Sequence, residues 1–219
     1  MDKNPGNPLR LFLVRHGETA ANLEMRYLGS RDDPLTERGV QQAAQLAQSL
    51  AALPITAVLT SPLRRAADTA IPIARQCGIE PRIDTRLREG AFGEWEGLSR
   101  KEVRDRSPRD AGLLELWEAD PRCAPPGGES LEAVQRRMLD LEADLEKRYA
   151  GGWIVLVTHV GPIKALLAAA LDLPIPSVRR LFLDPATISV VDWGKPALVR
   201  LFNSHGHLGW EAARWMKTD

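Results

Sequence analysis

Three short runs of almost unbroken apolar residues constrain this chain most: "LRLFLV" at 9–14, "ITAVLTS" at 55–61 and "WIVLVT" at 153–158. A strand with one wet face alternates apolar and polar side chains, whereas a run that is apolar at nearly every position must be covered on both faces. Helical patterns supply the cover. "PLTERGVQQAAQLAQSLAAL" at 34–53 puts Val40, Ala43, Ala44, Ala47 and Leu50 at helical spacing, with Thr36 as N-cap and Pro54 as the stop. A second helix starts at Pro62 and ends at Gly78, and Pro72 inside it predicts a kink or a shortened helix.

"PRIDTRLRE" is a brief extended segment, followed by the glycine-punctuated loop "GAFGEWEG". Residues 98–128 are mixed and predict short helices joined by a Pro-rich stretch. From the N-cap Ser130, the steps Leu131, Val134, Met138, Leu141 and Leu145 mark a long amphipathic helix to about residue 149. "GPIKALLAAAL" is a largely apolar helix, and "ATISVVDW" and "ALVRLFN" form a closing strand pair. This alternation predicts a three-layer αβα sandwich: a mostly parallel sheet with helices on both faces. No repeat, low-complexity tract or linker divides the chain, so the expectation is one domain over 1–219, with residues 1–8 flexible.

Lys plus Arg and Asp plus Glu number 29 each, a net charge of +0. That balance argues against nucleic-acid or membrane partners, which demand a long-range positive field, but permits a small positive pocket. No apolar run approaches the ~20 residues of a membrane helix. "MDKNPGNP" lacks the apolar segment of a signal peptide, and Cys77 and Cys123 have no CxxC spacing. The expectation is a cytoplasmic chain with two reduced thiols. A homodimer is compatible with the sequence, which does not specify one.

Each apolar run ends in basic or imidazole side chains: Val14-Arg15-His16-Gly17, then Ser61-Pro62-Leu63-Arg64, then Thr158-His159-Val160-Gly161. Any one of these alone is an ordinary polar strand end. In open α/β sheets, however, ligands bind beyond the carboxyl ends of the strands. If the three strands are neighbours, Arg15, His16, Arg64 and His159 converge there, beside helix N-termini near Leu63 and Gly161. Two guanidiniums, two imidazoles and backbone donors describe a pocket for a phosphoryl group.

"LVRHGETAAN", "TSPLRRAADTA", "LREGAFGEWEG", "GGES" and "VTHVGPIKAL", in that order, resemble the histidine phosphatase superfamily, the clan of cofactor-dependent phosphoglycerate mutase. The resemblance spans residues 9–171. It implies a nucleophile at His16, clamping of the phosphoryl oxygens by Arg15, Arg64 and His159, a further polar contact from Asn22, and a proton donor, later general base, at Glu89. It implies a small phosphorylated metabolite as substrate, with neither metal nor cofactor. By position alone Glu18, Glu94 and Glu96 rival Glu89. Many members of the family carry Gly and Arg where Val160 and Lys164 stand here, which questions any backbone contact that needs glycine at 160.

Within that family two activities compete: a phosphatase, in which water resolves the phosphohistidine, and a mutase, which must exclude water. Only 30 residues separate Gly97 from Gly128, and Ala21 rather than Trp precedes Asn22. Both features, with "FGEWEG", resemble the phosphatase branch, in particular its α-ribazole phosphatase-like and broad acid phosphatase members. A third reading, a phosphoester-binding module without catalysis, fits poorly with a chain that keeps both His16 and Glu89. Of the remaining candidates, His205 and His207 lack the further ligands of a metal site. Trp153 is expected in the core, Trp95 and Trp117 either in the core or bordering the pocket, and Arg26 and Arg31 in solvent.

Overall fold

The computed structural model describes residues 8–209 and Ala213; the N-terminal lead expected to be flexible lies outside them but for Pro8. In chain order the elements are β1 (Leu9–Arg15), α1 (Ala20–Leu23), α2 (Glu37–Leu50), β2 (Ala57–Thr60), α3 (Arg64–Gln76), β3 (Arg82–Ile83), α4 (Arg100–Arg106), α5 (Pro108–Ala119), α6 (Leu131–Arg148), β4 (Trp153–Thr158), α7 (Val160–Ala170), β5 (Ile188–Trp193) and β6 (Leu198–Ser204). They build a six-stranded sheet of order β3-β2-β4-β1-β5-β6. β3, β2, β4 and β1 run parallel, while β5 and β6 are antiparallel. The three apolar runs are therefore adjacent strands, with β4 between β2 and β1.

Residue alternation divides the core between two helical layers. Leu11 and Leu13 of β1, with Ile154 and Leu156 of β4, pack on Met138 and Leu141 of α6 and Ile163 and Leu166 of α7. Phe12 and Val14, with Val155 and Val157, pack on Leu46 of α2 and Ala66, Ala70 and Ile73 of α3. Both faces are dry, as the unbroken apolar runs demand, and the sandwich follows. Away from the sheet, Trp95, Val103 and Leu114 form a satellite cluster under α4 and α5.

Thr36 and Ser130 cap α2 and α6 as expected, each accepting a backbone N–H three residues on. Three details differ from expectation. The buried face of α2 is Gly39, Gln42, Ala43, Leu46, Ala47 and Leu50, which leaves Val40 and Ala44 outside. α3 runs without a break through Pro72. Trp153 is only half-buried, at the sheet margin, with the Arg10 guanidinium 4.4 Å above its ring.

One ion cluster ties the parallel half of the sheet to the antiparallel half. The Asp192 carboxylate of β5 is 4% exposed and accepts from Arg10 Nε and Nη2 on β1 and from Arg200 Nε on β6. Hydrogen bonding from Arg10 is the main cause that holds this carboxyl below its usual range. Its stabilisation is therefore complete above the ordinary carboxylate pKa and is lost as pH falls through the native one. Asp192→Ala should cost about 1–3 kcal/mol at pH 7, below the range for fully buried pairs because both arginines can return to water. Urea unfolding at pH 7 and near pH 3 tests this, since variant and wild type should converge in acid.

Candidate active site

β1, β4 and β2 deliver the site from their carboxyl ends. The His16 amide extends the β1–β4 ladder by donating to the Thr158 carbonyl at 3.0 Å. This brings the His16 and His159 rings to 5.0 Å between centroids, at 58°. Arg15, His16, Asn22, Arg65 and Glu89 line one cavity, and His159 is fully buried next to His16.

The second guanidinium is not the expected one. Arg64 opens α3 on its outer side, with its side chain 61% exposed and Nε 3.3 Å from Asp68, while its backbone N–H caps onto Asp32. Arg65, one residue and 100° further round the helix, is fully buried and enters the cavity wall. It donates from Nη1 to the Arg31 carbonyl at 2.5 Å and from Nη2 to the Gly29 carbonyl at 2.9 Å, and its Nε has no partner. Arg15 similarly donates from Nη1 to the Leu183 carbonyl. Backbone carbonyls thus aim both forks.

Hydrogen bonding fixes the His16 tautomer. Nδ1 lies 2.7 Å from the Gly17 carbonyl, which can only accept, so Nδ1 carries the proton and Nε2 the lone pair. Burial pushes the His16 pKa well below its ordinary value, with the Arg65 and then the Arg15 charge adding to it. Burial and Arg65 do the same to His159. His159 Nε2 is 2.9 Å from Ser61 Oγ, which also accepts from the Leu63 amide. His159 Nδ1 is buried and has no partner.

Glu89 is set apart from its rivals. Its Oε1 accepts from the Gly90 and Gly161 amides, both at 3.0 Å, at the N-terminus of α7, and Oε2 makes no hydrogen bond among the described residues. A Cβ at position 161 would lie 2.5 Å from that Oε1, so the close approach requires glycine there. The contact that Val160 called into question thus falls one residue on, where the glycine is present. Glu18 accepts from Thr36 Oγ1, Glu96 Oε1 accepts from the Ser30 and Phe92 amides, and Glu94 lies at the surface beside Arg106. All three are structural.

The family profile of the histidine phosphatase superfamily, branch 1, matches residues 11–203. The chain belongs to that superfamily. It is 39% identical over 206 residues to a bifunctional protein of Mycobacterium tuberculosis, covering 93% of this chain and 56% of that one. The chain thus spans little more than half the length of the first curated relatives it matches. It is 38% identical to the glucosyl-3-phosphoglycerate phosphatase of Mycobacterium tuberculosis over 76% of this chain and 77% of that one. The solved structure of the mycobacterial glucosyl-3-phosphoglycerate phosphatase with VO3 superposes with a TM-score of 0.80 at 34% identity, over 89% of this chain and 99% of that one.

Around this histidine phosphatase site stand residues that sequence reading passed over. Thr69 Oγ1 donates to the Arg65 carbonyl and accepts from the Gly17 amide, pinning the loop after His16 to α3. Gly17 and Gly39 meet backbone to backbone, since a Cβ on Gly17 would stand 2.6 Å from the Gly39 carbonyl oxygen. Asn22 Oδ1 accepts from the Thr19 amide in a capping box, which leaves its NH2 group to donate. Arg26, expected in solvent, lines the cavity while pairing with Glu24 and Glu102. Trp95 is core, and Trp117 borders a second cavity. His205 and His207 face the backbone carbonyls of Asn203 and Ala186.

The buried imidazoles have a thermodynamic signature. In the unfolded chain they protonate near pH 6.5; in the native chain they resist it, so the unfolded state binds more protons and stability falls as pH drops below about 6.5. Imidazole NMR of the free protein should show His16 and His159 titrating below pH 6.5. Denaturant unfolding should lose stability between pH 7 and 5.5 more steeply in wild type than in His16→Asn. A midpoint at or above 6.5 for either ring would contradict the site's electrostatics.

Proposed function

We propose that the protein is a metal-independent phosphomonoesterase that hydrolyses a small phosphorylated metabolite through a phosphohistidine on His16. The observation that carries this reading is the commitment of His16 Nδ1 to the Gly17 carbonyl, which leaves Nε2 as a neutral nucleophile between two guanidiniums. A phosphate monoester repels anionic attackers, and a neutral imidazole avoids that repulsion once Arg15 and Arg65 spread the phosphoryl charge.

In the first step Nε2 forms a bond to phosphorus while the ester P–O bond breaks, and Glu89 gives its proton to the departing alkoxide. Arg15, Arg65, the Asn22 amide and the His159 ring hold the phosphoryl oxygens. In the second step the Glu89 carboxylate takes a proton from water, the resulting hydroxide forms a bond to phosphorus, and the N–P bond breaks, returning its electron pair to Nε2. Phosphate leaves and Glu89 is protonated again. The relatives' names, with a phosphatase of a phosphorylated glycerate derivative among them, support a phosphatase acting on a small organic phosphate.

A panel of phosphate esters assayed in excess chelator tests the reading. Turnover should survive chelation, and His16→Ala should lower kcat by at least about 10⁴-fold. An acid-labile phosphoenzyme should be trapped in wild type and be absent from His16→Ala. Resolution of that intermediate by 3-phosphoglycerate faster than by water would favour the mutase instead.

Gly161→Ala separates the proton donor from the fold. The new Cβ displaces the Glu89 carboxylate, so kcat should fall by roughly 10- to 100-fold for esters of poor leaving groups. Alanine is the better helix former, so Tm should hold or rise. Equal kcat in variant and wild type would remove Glu89 from its assigned place.

A further inference from the structure

Beside the phosphoryl pocket lies a second cavity of about 150 Å³, walled by residues of α5, α6 and α7 and by the segment around Val178. The two share Glu89, Phe92 and Val160, so they adjoin at the proton donor, on the side where the ester's alcohol departs. The new cavity is mostly apolar, with Leu131, Val134, Val178 and the faces of Phe92 and Trp117 on its walls. Phe92 and Trp117 are locked edge-to-face at 5.7 Å between centroids, and Tyr27 stacks on Phe92 at 4.6 Å.

Four charged groups line this cavity: Glu89, Glu129, Lys164 and Arg179. Three are already held. Glu89 Oε1 is tied to two backbone amides. Glu129 is matched fork to fork by Arg137 Nε and Nη2, both at 2.9 Å. Arg179 lies 4.4 Å above the Trp117 ring and donates to the Trp117 carbonyl. Lys164 is the exception among the described residues. It is half-buried on the inner side of α7 and makes no hydrogen bond or ion pair among the described residues, although it feels the charge of Glu89.

An ammonium in such surroundings is costly, because desolvation outweighs the attraction of Glu89 and no hydrogen bond is made in return. Burial is the main cause that lowers the Lys164 pKa to about 8, helped by the Arg15 and Arg179 charges and opposed by Glu89. A side chain serving only to fill space would sit here at less cost as methionine or leucine. A ligand anion supplies what the protein does not.

We propose that Lys164 is the specificity-determining residue of a leaving-group subsite, selecting phosphate monoesters whose alcohol portion carries a carboxylate. The inference rests on the phosphomonoesterase reading above and names the substrate class for it. A monoanion is the better match, because one ammonium faces the ligand, Arg179 being turned onto the Trp117 ring and carbonyl and Glu129 being paired with Arg137. The apolar and aromatic walls accept the carbon skeleton between the two anionic ends.

The test is the ratio of kcat/KM for 3-phosphoglycerate to that for glycerol 3-phosphate, in which an uncharged hydroxymethyl group replaces the carboxylate. Wild type should favour the acid, and Lys164→Met should lower the ratio by roughly 10- to 100-fold, the worth of one charge-assisted hydrogen bond, with the change in KM rather than kcat. Lys164→Arg, which keeps the charge, should restore most of it. A Lys164→Met enzyme that loses kcat equally on both esters would make Lys164 a partner of Glu89 and overturn the subsite. A larger loss for glycerol 1,3-bisphosphate than for the acid would replace carboxylate by phosphate and overturn the stated class. A wild type that hydrolyses 4-nitrophenyl phosphate but treats the pair alike would overturn the subsite and leave the phosphatase standing. A wild type inert to every ester would overturn both.

Discussion

Positive charge held out of water is the constraint on which this structure depends. Arg15, Arg65, His16 and His159 are all buried, and they stand together where three parallel strands end. Such a group is tolerable only when every polar atom that is not reserved for a ligand has a partner. The chain meets the demand with main-chain oxygens: the carbonyls of Leu183, Arg31 and Gly29 for the guanidiniums, and that of Gly17 for the His16 ring. Neutral acceptors orient a cation without cancelling its charge, as a carboxylate would. The pocket therefore keeps its attraction for an anion and keeps both imidazoles neutral.

Carbonyls can serve in this way only if the loops that carry them are immobile, and the surrounding packing is directed to that end. Gly29 has a positive φ of 53° and lies against Phe92 and Glu96, whose carboxylate accepts from the Ser30 and Phe92 amides. The loop after β1 is pinned by Thr69 from α3, by Gln42 from α2 and by the close contact of Gly17 with Gly39. The fastenings of the loop after β1 use small residues or neutral polar groups, because a bulkier side chain would push that loop outward and a carboxylate so close to the His16 ring would quench the field. Glu18 shows the limit of that tolerance. It is adjacent in sequence to the nucleophile's loop, yet it turns away and binds Thr36.

The sheet was legible because its inner strands are apolar at almost every position, and that leaves no other way to bury them. The convergence of Arg15, His16 and His159 was legible for the same reason, since parallel strands put their carboxyl ends together, whereas Glu89 was separated from its rivals only by the family resemblance. Arg65 was not found, although the signal was present. Arg65, Thr69 and Ile73 follow one another at intervals of four on the buried stripe, whereas Arg64 and Asp68 form an i,i+4 pair, which belongs on a solvated face. Reading the helix as a face rather than as a string after a strand end selects the inner arginine. The stripe of α2 slipped in the same manner: Val40 is more apolar than Gly39 or Gln42, but the inner side needed a glycine for backbone contact and an amide for the Glu18 N–H. Hydrophobicity ranks residues, and close approach overrides the ranking.

The two cavities differ in origin, and that difference bears on how such a site can change substrate. The phosphoryl pocket is made from strand ends and the first turns of α3 and α7, elements fixed by the central core. The leaving-group cavity is walled largely by residues 89–131 and 178–179, and its aromatic wall, Phe92 and Trp117, rests on the small Trp95–Val103–Leu114 cluster rather than on the sheet. Only Glu89, Phe92 and Val160 belong to both. Substitutions in the outer segments can therefore recast what the alcohol must look like without disturbing the burial of the guanidiniums. In the proposed mechanism Glu89 cannot share that freedom, because its carboxyl must reach the ester oxygen while the residue lines both cavities. Its two amide donors, one of them from a glycine that leaves room for it, hold that boundary in place.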